Sequence, residues 1–237
     1  MNCSGVQNIQ AVNQKIKTII KNNTYLNKLA RRIDRLRIKS RASISGKNNI
    51  VINKGVLINV KYDIVGDGNT IEIMKGAVLS NMMIYMRGNN HKLKIGEDCH
   101  FKGGSVWFED KNCRIEIGQK TTIESAHLAV TEPDRKIIIG DDCMFSNAIE
   151  LRTGDSHSII DNHTKKRINP AQDIIIGNHV WIGAHSIILK GVTVSDNSII
   201  GTNSLVTGNI PGNSISAGIP AKVVKTDVDW VRERIYD

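Results

Sequence analysis

Histidine side chains supply the acid–base chemistry that this 237-residue chain can perform near neutral pH, and two of the seven share one polar run. His157 and His163 fall within "RTGDSHSIIDNHTKKRINPAQ", residues 152–172, a polar run that also contains Pro170. A positioned imidazole can take a proton from a hydroxyl group. This run is therefore the first candidate for a functional site, and the rest of the sequence must show how it is held.

The sequence around this run is periodic. Aliphatic residues recur every 22 positions at first, and then every six positions: Ile73, Ile95, Ile117 and Ile139, followed by Ile176, Ile182, Ile188, Val194, Ile200 and Val206. A six-residue repeat predicts a parallel β-helix, in which three hexapeptides form one triangular coil of about 18 residues. We expect the aliphatic residues to stack inside the prism, and the 22-residue period to add a four-residue corner loop to each coil. A narrow prism admits few rings, in agreement with only 4% aromatic residues.

One interval breaks the repeat. Ile139 and Ile176 are 37 residues apart, which is about 15–19 more than one coil requires. The surplus must leave the prism within residues 152–172, so these residues are predicted to form an extruded loop. Loops on rigid scaffolds are where functional residues concentrate.

Metal binding is an alternative for a second pair of histidines. His179 and His185 occupy the same position in successive hexapeptides, so they should point outward from neighbouring faces and could bind one ion only between copies of the chain. We do not expect a metal. The cysteines show no CxxC spacing, and we expect Cys99 and Cys143, two coils apart, to be free; the four cysteines are Cys3, Cys99, Cys113 and Cys143.

The positive charge is concentrated at the N-terminus. Residues 1–41 carry ten Lys/Arg and one acidic residue, so the whole net charge of +9 lies there. Apolar residues at three- and four-residue spacing from Ile9 to Ile33 predict a basic helical arm, residues 1–42. It could form a short coiled coil or lie on a neighbouring subunit. Its basic residues could meet an anionic membrane or acidic polysaccharide, or form a face that is only solvated. The few aromatic residues argue against a nucleic-acid partner.

The segment from Ile139 to Lys225 resembles the hexapeptide-repeat acetyltransferases, in particular the galactoside, maltose and capsule (polysialic acid) O-acetyltransferases. The stretches that carry the resemblance are "TGDSHSI", "VWIG" and "AGIPAK". The resemblance implies a left-handed parallel β-helix over residues 43–225. It also implies acetyl-CoA as the acetyl donor and a hydroxyl of a bacterial surface glycan, or of its sugar precursor, as the acceptor.

The resemblance also assigns roles to residues. His157 matches the catalytic base, and Trp181 would help to form the wall of the reaction cavity. The backbone amide of Gly183 or Ala184 could stabilise the oxyanion. Glu150 and Asp155 are alternatives for the group that orients His157. The positions that match acetyl-CoA contacts are Ala184, Thr202, Thr207, Lys222 and Lys225.

Further expectations concern assembly and the rest of the chain. A smooth prism would not assemble the groove, the base and Trp181 by itself, so a homotrimer is expected. Acceptor contacts could come from residues 124–136, with Ser125, His127 and Arg135 as candidates. Residues 226–237 are predicted to form a short C-terminal helix. We see no signal peptide and no membrane span, and expect a cytoplasmic enzyme that could lie at the inner face of the membrane.

Two other functions remain open at this point. The chain could be an N-acetyltransferase that acts on an amino sugar, for which a base would matter less because an amine is a better nucleophile. It could also be a non-enzymatic trimeric scaffold in polysaccharide assembly.

Overall fold

A computed structural model describes residues 40–236, and these form the predicted left-handed parallel β-helix, with about eight coils. Only β-strands, turns and irregular chain occur in this range, and it contains no helix long and apolar enough to cross a membrane. The predicted helical arm, residues 1–42, lies almost wholly outside the described residues. The β-helix itself runs from Arg41 to Thr226.

Three faces make up the prism, and the strands are numbered in chain order. The first face is a seven-stranded parallel sheet: β2 (Ile50–Asn53), β4 (Thr70–Ile73), β6 (Lys92–Ile95), β9 (Arg114–Ile117), β12 (Lys136–Ile139), β15 (Ile174–Ile176) and β18 (Thr193–Val194). The second face contains β7 (His100–Phe101), β10 (Thr122–Ile123), β13 (Met144–Phe145), β16 (Trp181–Ile182), β19 (Ile199–Ile200) and β21 (Ser214–Gly218). The third contains β8 (Gly104–Phe108), β11 (Ala126–Val130), β14 (Ile149–Arg152), β17 (Ile187–Ile188) and β20 (Leu205–Val206).

Two long strands connect the second and third faces at the N-terminal end. These are β3 (Val56–Val65) and β5 (Val78–Arg87), which bend around the corner, and β1 (Arg41–Ser45) pairs with the second half of β3. At the other end β22 (Ala221–Thr226) turns back and pairs antiparallel with β21. This is the one antiparallel pair among the numbered strands of the described range.

The core is a set of stacked columns of inward-pointing side chains. Ile71, Leu93, Ile115, Ile137 and Ile174 follow one another in register on the first face, and all five are buried. Alternate residues of a strand point to opposite sides, so every second residue enters the prism. The predicted stacking of aliphatic residues is confirmed, and it joins the chain from Val60 in β3 to Ile210, just after β20, in one core.

The 22-residue coils are wider than the prediction allowed. The strands of the third face span five residues in β8 and β11 but two in β17 and β20, so part of the surplus lengthens this face instead of forming a corner loop. The longer strands bring in one more buried side chain, Phe108 or Val130. Phe108 is therefore buried on the lengthened face, whereas the other two phenylalanines of the chain, Phe101 and Phe145, are buried on the second face.

The described cysteines are free and buried, in agreement with the expectation for Cys99 and Cys143. Thr121 lies between these two thiols in the column, and its hydroxyl accepts a hydrogen bond from the Cys143 amide at 3.0 Å. Burial raises the pKa of both thiols to about 11. These thiols stay protonated at neutral pH and serve as small core residues.

The predicted C-terminal helix is wrong. Residues 227–236 are irregular, and tertiary contacts hold them in this form: Trp230 is only 5% exposed, and Arg232 reaches back to Asp142 and Thr122. An isolated helix of this length is marginal in water, so the burial of one indole and the hydrogen bonds of one guanidinium decide the conformation.

Close packing between coils generates a stability prediction. Gly104 begins β8 with a φ of +115°, and a Cβ there would lie 1.9 Å from the carbonyl oxygen of Ala126. We expect Gly104→Ala to lower the free energy of unfolding by about 1–3 kcal/mol or more, because backbone strain and the clash add up. Gly208→Ala is the matched control, since nothing lies within 4 Å of the added methyl group. Urea unfolding followed by circular dichroism measures both, and equal midpoints would contradict the packing.

Candidate active site

The long excursion of the chain leaves the prism after β14 and returns at β15, as predicted. It forms a small hairpin in which Ile160 pairs antiparallel with Arg167 and the Ile168 amide donates to the Ile159 carbonyl at 2.8 Å. His157 lies at the start of this loop and is exposed. Its amide donates to the Asp155 carbonyl at 2.8 Å, which closes a tight turn at His157.

Asn169 connects the two sides of the loop, although no motif in the sequence indicates this role. Its side-chain amide nitrogen donates to the His157 carbonyl and to the Asp155 carboxylate, both at 2.8 Å. Its side-chain oxygen accepts from the Ile159 amide at 2.7 Å. Only 7% of Asn169 is exposed, so these hydrogen bonds are largely shielded from water. They determine the backbone conformation on both sides of His157.

Two ion pairs attach the same loop to the prism. Lys190, which follows β17, pairs with Asp155, and Arg167 pairs with Glu132 at the corner after β11. The hydrogen bond from Lys190, with a second from Asn169, lowers the pKa of Asp155, and the hydrogen bond from Arg167 lowers that of Glu132. Both carboxylates are therefore ionised at neutral pH and keep the loop fastened.

The two alternatives for orienting His157 are engaged elsewhere within the described chain. Glu150 pairs with Arg152 on the outer side of β14. The Asp155 carboxylate is held by Lys190 and Asn169. Asp155 contributes to the conformation around His157 through its carbonyl group, which accepts from the His157 amide, and through its carboxylate, which accepts from Asn169. Neither contact is made to the imidazole itself.

Trp181 is outward-pointing, as predicted, in β16 on the second face, with 38% of its surface exposed. Its neighbours in the column are Met144 and Ile199. The Trp230 ring lies against it, with the ring centres 6.1 Å apart and the planes tilted by 53°. The sequence did not indicate this aromatic pair, because the partners are far apart in the chain.

The predicted coenzyme residues fall into two groups. Ala184 and Thr202 follow Gly183 and Gly201 in successive coils, at the corner between the second and third faces. Thr207 follows β20 at the next corner, so a single chain does not bring it to the edge that carries Ala184 and Thr202.

Gly183 cannot be the oxyanion donor. Its amide already donates to the Ile200 carbonyl at 2.8 Å, as part of the ladder between coils, and the residue is buried. This leaves the Ala184 amide as the candidate from that pair.

Lys222 and Lys225 lie on the same side of the terminal hairpin, although they are three residues apart. Lys222 is opposite Ala217 and Lys225 is opposite Ile215, with a β-bulge between these pairs. Ala217 and Ile215 are two apart on β21 and share a face, so their partners do as well. Both ammonium groups are exposed and could meet the same phosphate-bearing ligand.

A concave region of the surface includes two of the three acceptor candidates. Ser125 and His127 line a surface pocket of about 310 Å³ together with Glu150, whereas Arg135 lies apart from them, 3.7 Å from Asp173. Burial and the nearby Arg152 lower the pKa of His127, whose ring is 2.7 Å from the Ser105 hydroxyl. Its imidazole is neutral at pH 7.

His179 does not have a free nitrogen for a metal. One ring nitrogen is 2.8 Å from Asp142 and the other is 2.8 Å from the Trp230 carbonyl. His185 is exposed on the next hexapeptide. Across residues 40–236 no group of three or more His, Cys, Asp and Glu side chains is arranged to bind a metal ion.

Comparison with known proteins agrees with this architecture. The family model for the bacterial transferase hexapeptide, with six repeats, matches residues 173–208. A polysialic acid O-acetyltransferase of Neisseria meningitidis is 34% identical over 191 residues, which cover 80% of this chain and 88% of that protein. One of Escherichia coli O1:K1 / APEC is 36% identical over 140 residues, covering 59% of this chain but only 45% of that protein.

A solved structure shows the same fold. The crystal structure of the polysialic acid O-acetyltransferase OatWY superposes with a TM-score of 0.79 at 30% identity, and covers 84% of this chain and 93% of that one. The sequence match to the Neisseria protein spans most of both chains, and the superposition extends over the same β-helix. The chain therefore belongs to the hexapeptide-repeat acetyltransferase family that includes the polysialic acid O-acetyltransferases.

Proposed function

We propose that the protein transfers the acetyl group of acetyl-CoA to a hydroxyl of an acidic capsular glycan or of its sugar precursor. The observation that carries this proposal is the anchoring of the extruded loop. Asn169 hydrogen-bonds to both sides of this loop, and the loop presents the exposed imidazole of His157 outside the prism. The two relatives described above are polysialic acid O-acetyltransferases, so polysialic acid is the first acceptor to test.

The chemistry transfers one proton twice, first from the sugar hydroxyl to His157 and then from His157 to the leaving sulfur. His157 takes the proton from the sugar hydroxyl as its oxygen attacks the thioester carbonyl, and a tetrahedral oxyanion forms. A backbone amide such as that of Ala184 stabilises this charge. The C–S bond then breaks, the acetyl ester remains on the sugar, and the CoA sulfur leaves as a thiolate that is protonated by the imidazolium. The thioester is already activated, so the enzyme does not need a nucleophile of its own.

Acetyl-CoA would lie along the edge that carries Ala184 and Thr202. Lys222 and Lys225 stand on one side of the hairpin beside this edge, where two ammonium groups can bind the phosphates of the coenzyme. Trp181, partly exposed on the second face, would form the wall beside the thioester and the acceptor.

The active form proposed is a homotrimer with sites between subunits. Three large apolar side chains of the loop face water in the single chain: Ile159, Ile160 and Ile168 are each more than 50% exposed. Apolar residues clustered beside a catalytic group gain free energy by packing on another surface. A second copy of the chain would cover them and bring its own Trp181 and coenzyme edge to His157.

Removal of the base gives the first test of this proposal. We expect His157→Ala to lower kcat by about 10²–10⁴, because this is the usual contribution of a general base, and to leave acetyl-CoA binding unchanged. The matched control is His163→Ala in the same exposed loop. Acetyl transfer to polysialic acid is followed by mass spectrometry, and binding by calorimetry. A His157→Ala enzyme with more than a third of the wild-type rate would exclude His157 as the base.

Asn169 gives a second, conservative test. Asn169→Asp keeps the size of the side chain but replaces its donor by an acceptor, so the hydrogen bonds to the His157 carbonyl and the Asp155 carboxylate are lost. We expect kcat to fall about 10- to 100-fold, since a lost buried hydrogen bond costs about 1–3 kcal/mol. Asn162→Asp, exposed in the same loop, is the control. Equal kcat values for the two variants would show that the loop does not depend on Asn169.

Mixed assemblies test the shared site. His157→Ala chains and Lys222→Glu/Lys225→Glu chains should each be inactive, and refolding them together should restore part of the activity. A site between subunits can combine an intact base with an intact coenzyme edge. No recovery, or an active monomer by light scattering, would contradict the shared site.

A further inference from the structure

The C-terminal segment of the described chain makes an unusually specific contact with the β-helix. We call residues 229–232 the C-terminal clasp. The indole nitrogen of Trp230 donates to the His179 carbonyl at 2.8 Å, and the two rings stack with their centres 4.1 Å apart and their planes within 6°. Trp230 is almost fully buried although it lies beyond β22, the last strand. Its contacts, and not its position in the repeat, therefore determine where it lies.

His179 holds the clasp through both of its ring nitrogens. Nδ1 is 2.8 Å from a carboxylate oxygen of Asp142, and Nε2 is 2.8 Å from the Trp230 carbonyl oxygen. Both partners are acceptors, so both nitrogens must carry a proton for both hydrogen bonds to form. The clasp is complete only with the imidazolium form.

The charged groups around His179 favour that form. From the β-helix Asp142 faces it, and from the clasp the Asp229 carboxylate lies 3.4 Å from Nε2. Arg232 binds the other oxygen of Asp142 and the Cys143 carbonyl. Burial alone would lower the pKa of His179, but the hydrogen bonds to the Trp230 carbonyl and to Asp142 outweigh it, and the pKa is raised.

Trp181 is the next residue in contact with the clasp. It lies two positions after His179, and its ring is tilted against that of Trp230. Tilted aromatic pairs at this separation attract each other and have a preferred orientation. The clasp therefore limits how the partly exposed indole of Trp181 can turn.

We propose that Trp230 is a positioning residue of the acetyl-transfer site, which acts by holding Trp181 in the orientation that receives the acceptor sugar. This inference rests on the proposed function. An indole face binds a sugar ring only when it stands at the correct angle, and the exposed part of Trp181 provides such a face. Trp230 itself is too buried to touch the acceptor.

The main experiment separates the effects on the two substrates. Trp230→Ala should raise the KM for polysialic acid about tenfold and leave the KM for acetyl-CoA unchanged. The reason is that only the acceptor binds to the indole face of Trp181, whose orientation the variant releases. Trp230→Phe keeps a ring against Trp181 and should recover most of the loss. A Trp230→Ala enzyme with the wild-type acceptor KM would overturn the proposal.

The pH dependence of the acceptor KM is a second readout, and it would not change if the clasp only stabilised the fold. The folded state raises the pKa of His179. The imidazolium therefore stabilises the clasp fully below the ordinary histidine pKa of about 6.5, and this stabilisation is lost as the pH rises through the raised pKa of His179. The acceptor KM of the wild type should therefore increase over that range. His179→Asn should show a high KM without this pH dependence.

The control for that variant is His185→Asn. His179 and His185 both have a left-handed backbone, with φ of 53° and 60°, which asparagine adopts readily. Both donate their amide to the coil below, to Asp141 and Asn147 respectively, but His185 is exposed and outside the clasp. His185→Asn should keep the wild-type KM and pH profile. Equal behaviour of the two variants would overturn the role of the clasp.

Tryptophan fluorescence, which does not depend on catalysis, distinguishes failure of this inference from failure of the proposed function. The chain has three tryptophans, so Trp107→Phe/Trp230→Phe leaves Trp181 as the only reporter. Quenching of its fluorescence by acrylamide should increase at least twofold when His179→Asn is added. If the wild type acetylates no glycan, the proposed function fails. If quenching is unchanged, Trp181 is not held by the clasp.

Discussion

Stacking of inward side chains in register is the interaction on which the rest of this structure depends. Each coil adds one aliphatic residue to a column such as Ile71, Leu93 and Ile115, and the parallel backbones join at the usual strand spacing of about 4.8 Å. A coil is thus stabilised by its neighbours. The same spacing makes the corners demanding: glycine is required at Gly104, and His179 and His185 adopt left-handed backbones.

A filled prism leaves no interior for a reaction, so chemistry has to occur on its edges and on the chain that leaves it. The loop with His157 is stabilised in two ways. The ion pairs of Lys190 and Arg167 are partly exposed, and such pairs contribute little stability. The hydrogen bonds of buried Asn169 are shielded from water and directional, so they determine the position of the loop backbone.

The C-terminal clasp follows the same principle at another place. Its contacts join residues 51 positions apart in His179 and Trp230, and 90 apart in Asp142 and Arg232. They replace the helix that local sequence favours, because a stacked indole and a guanidinium hydrogen-bonded through all three of its nitrogens outweigh the weak helical preference of a short segment. A cation shared between two acceptors makes this contact sensitive to protonation, while the aliphatic columns are not.

The sequence by itself determined the repeat and everything that follows from it: the β-helix, the aliphatic columns, the bounds of the extruded loop, the outward direction of Trp181 and the free thiols of Cys99 and Cys143. These follow from spacing, and spacing is local and repeated many times. Only the tertiary structure decided that Asn169 holds the backbone at His157, that the Gly183 amide is bonded to the Ile200 carbonyl, and that Thr207 lies on another edge. It also decided that a bulge aligns Lys222 with Lys225, and that residues 227–236 do not form a helix. Each of these depends on which donor meets which acceptor across coils. The repeat determines the path of the backbone, but it does not specify the partners of individual polar groups.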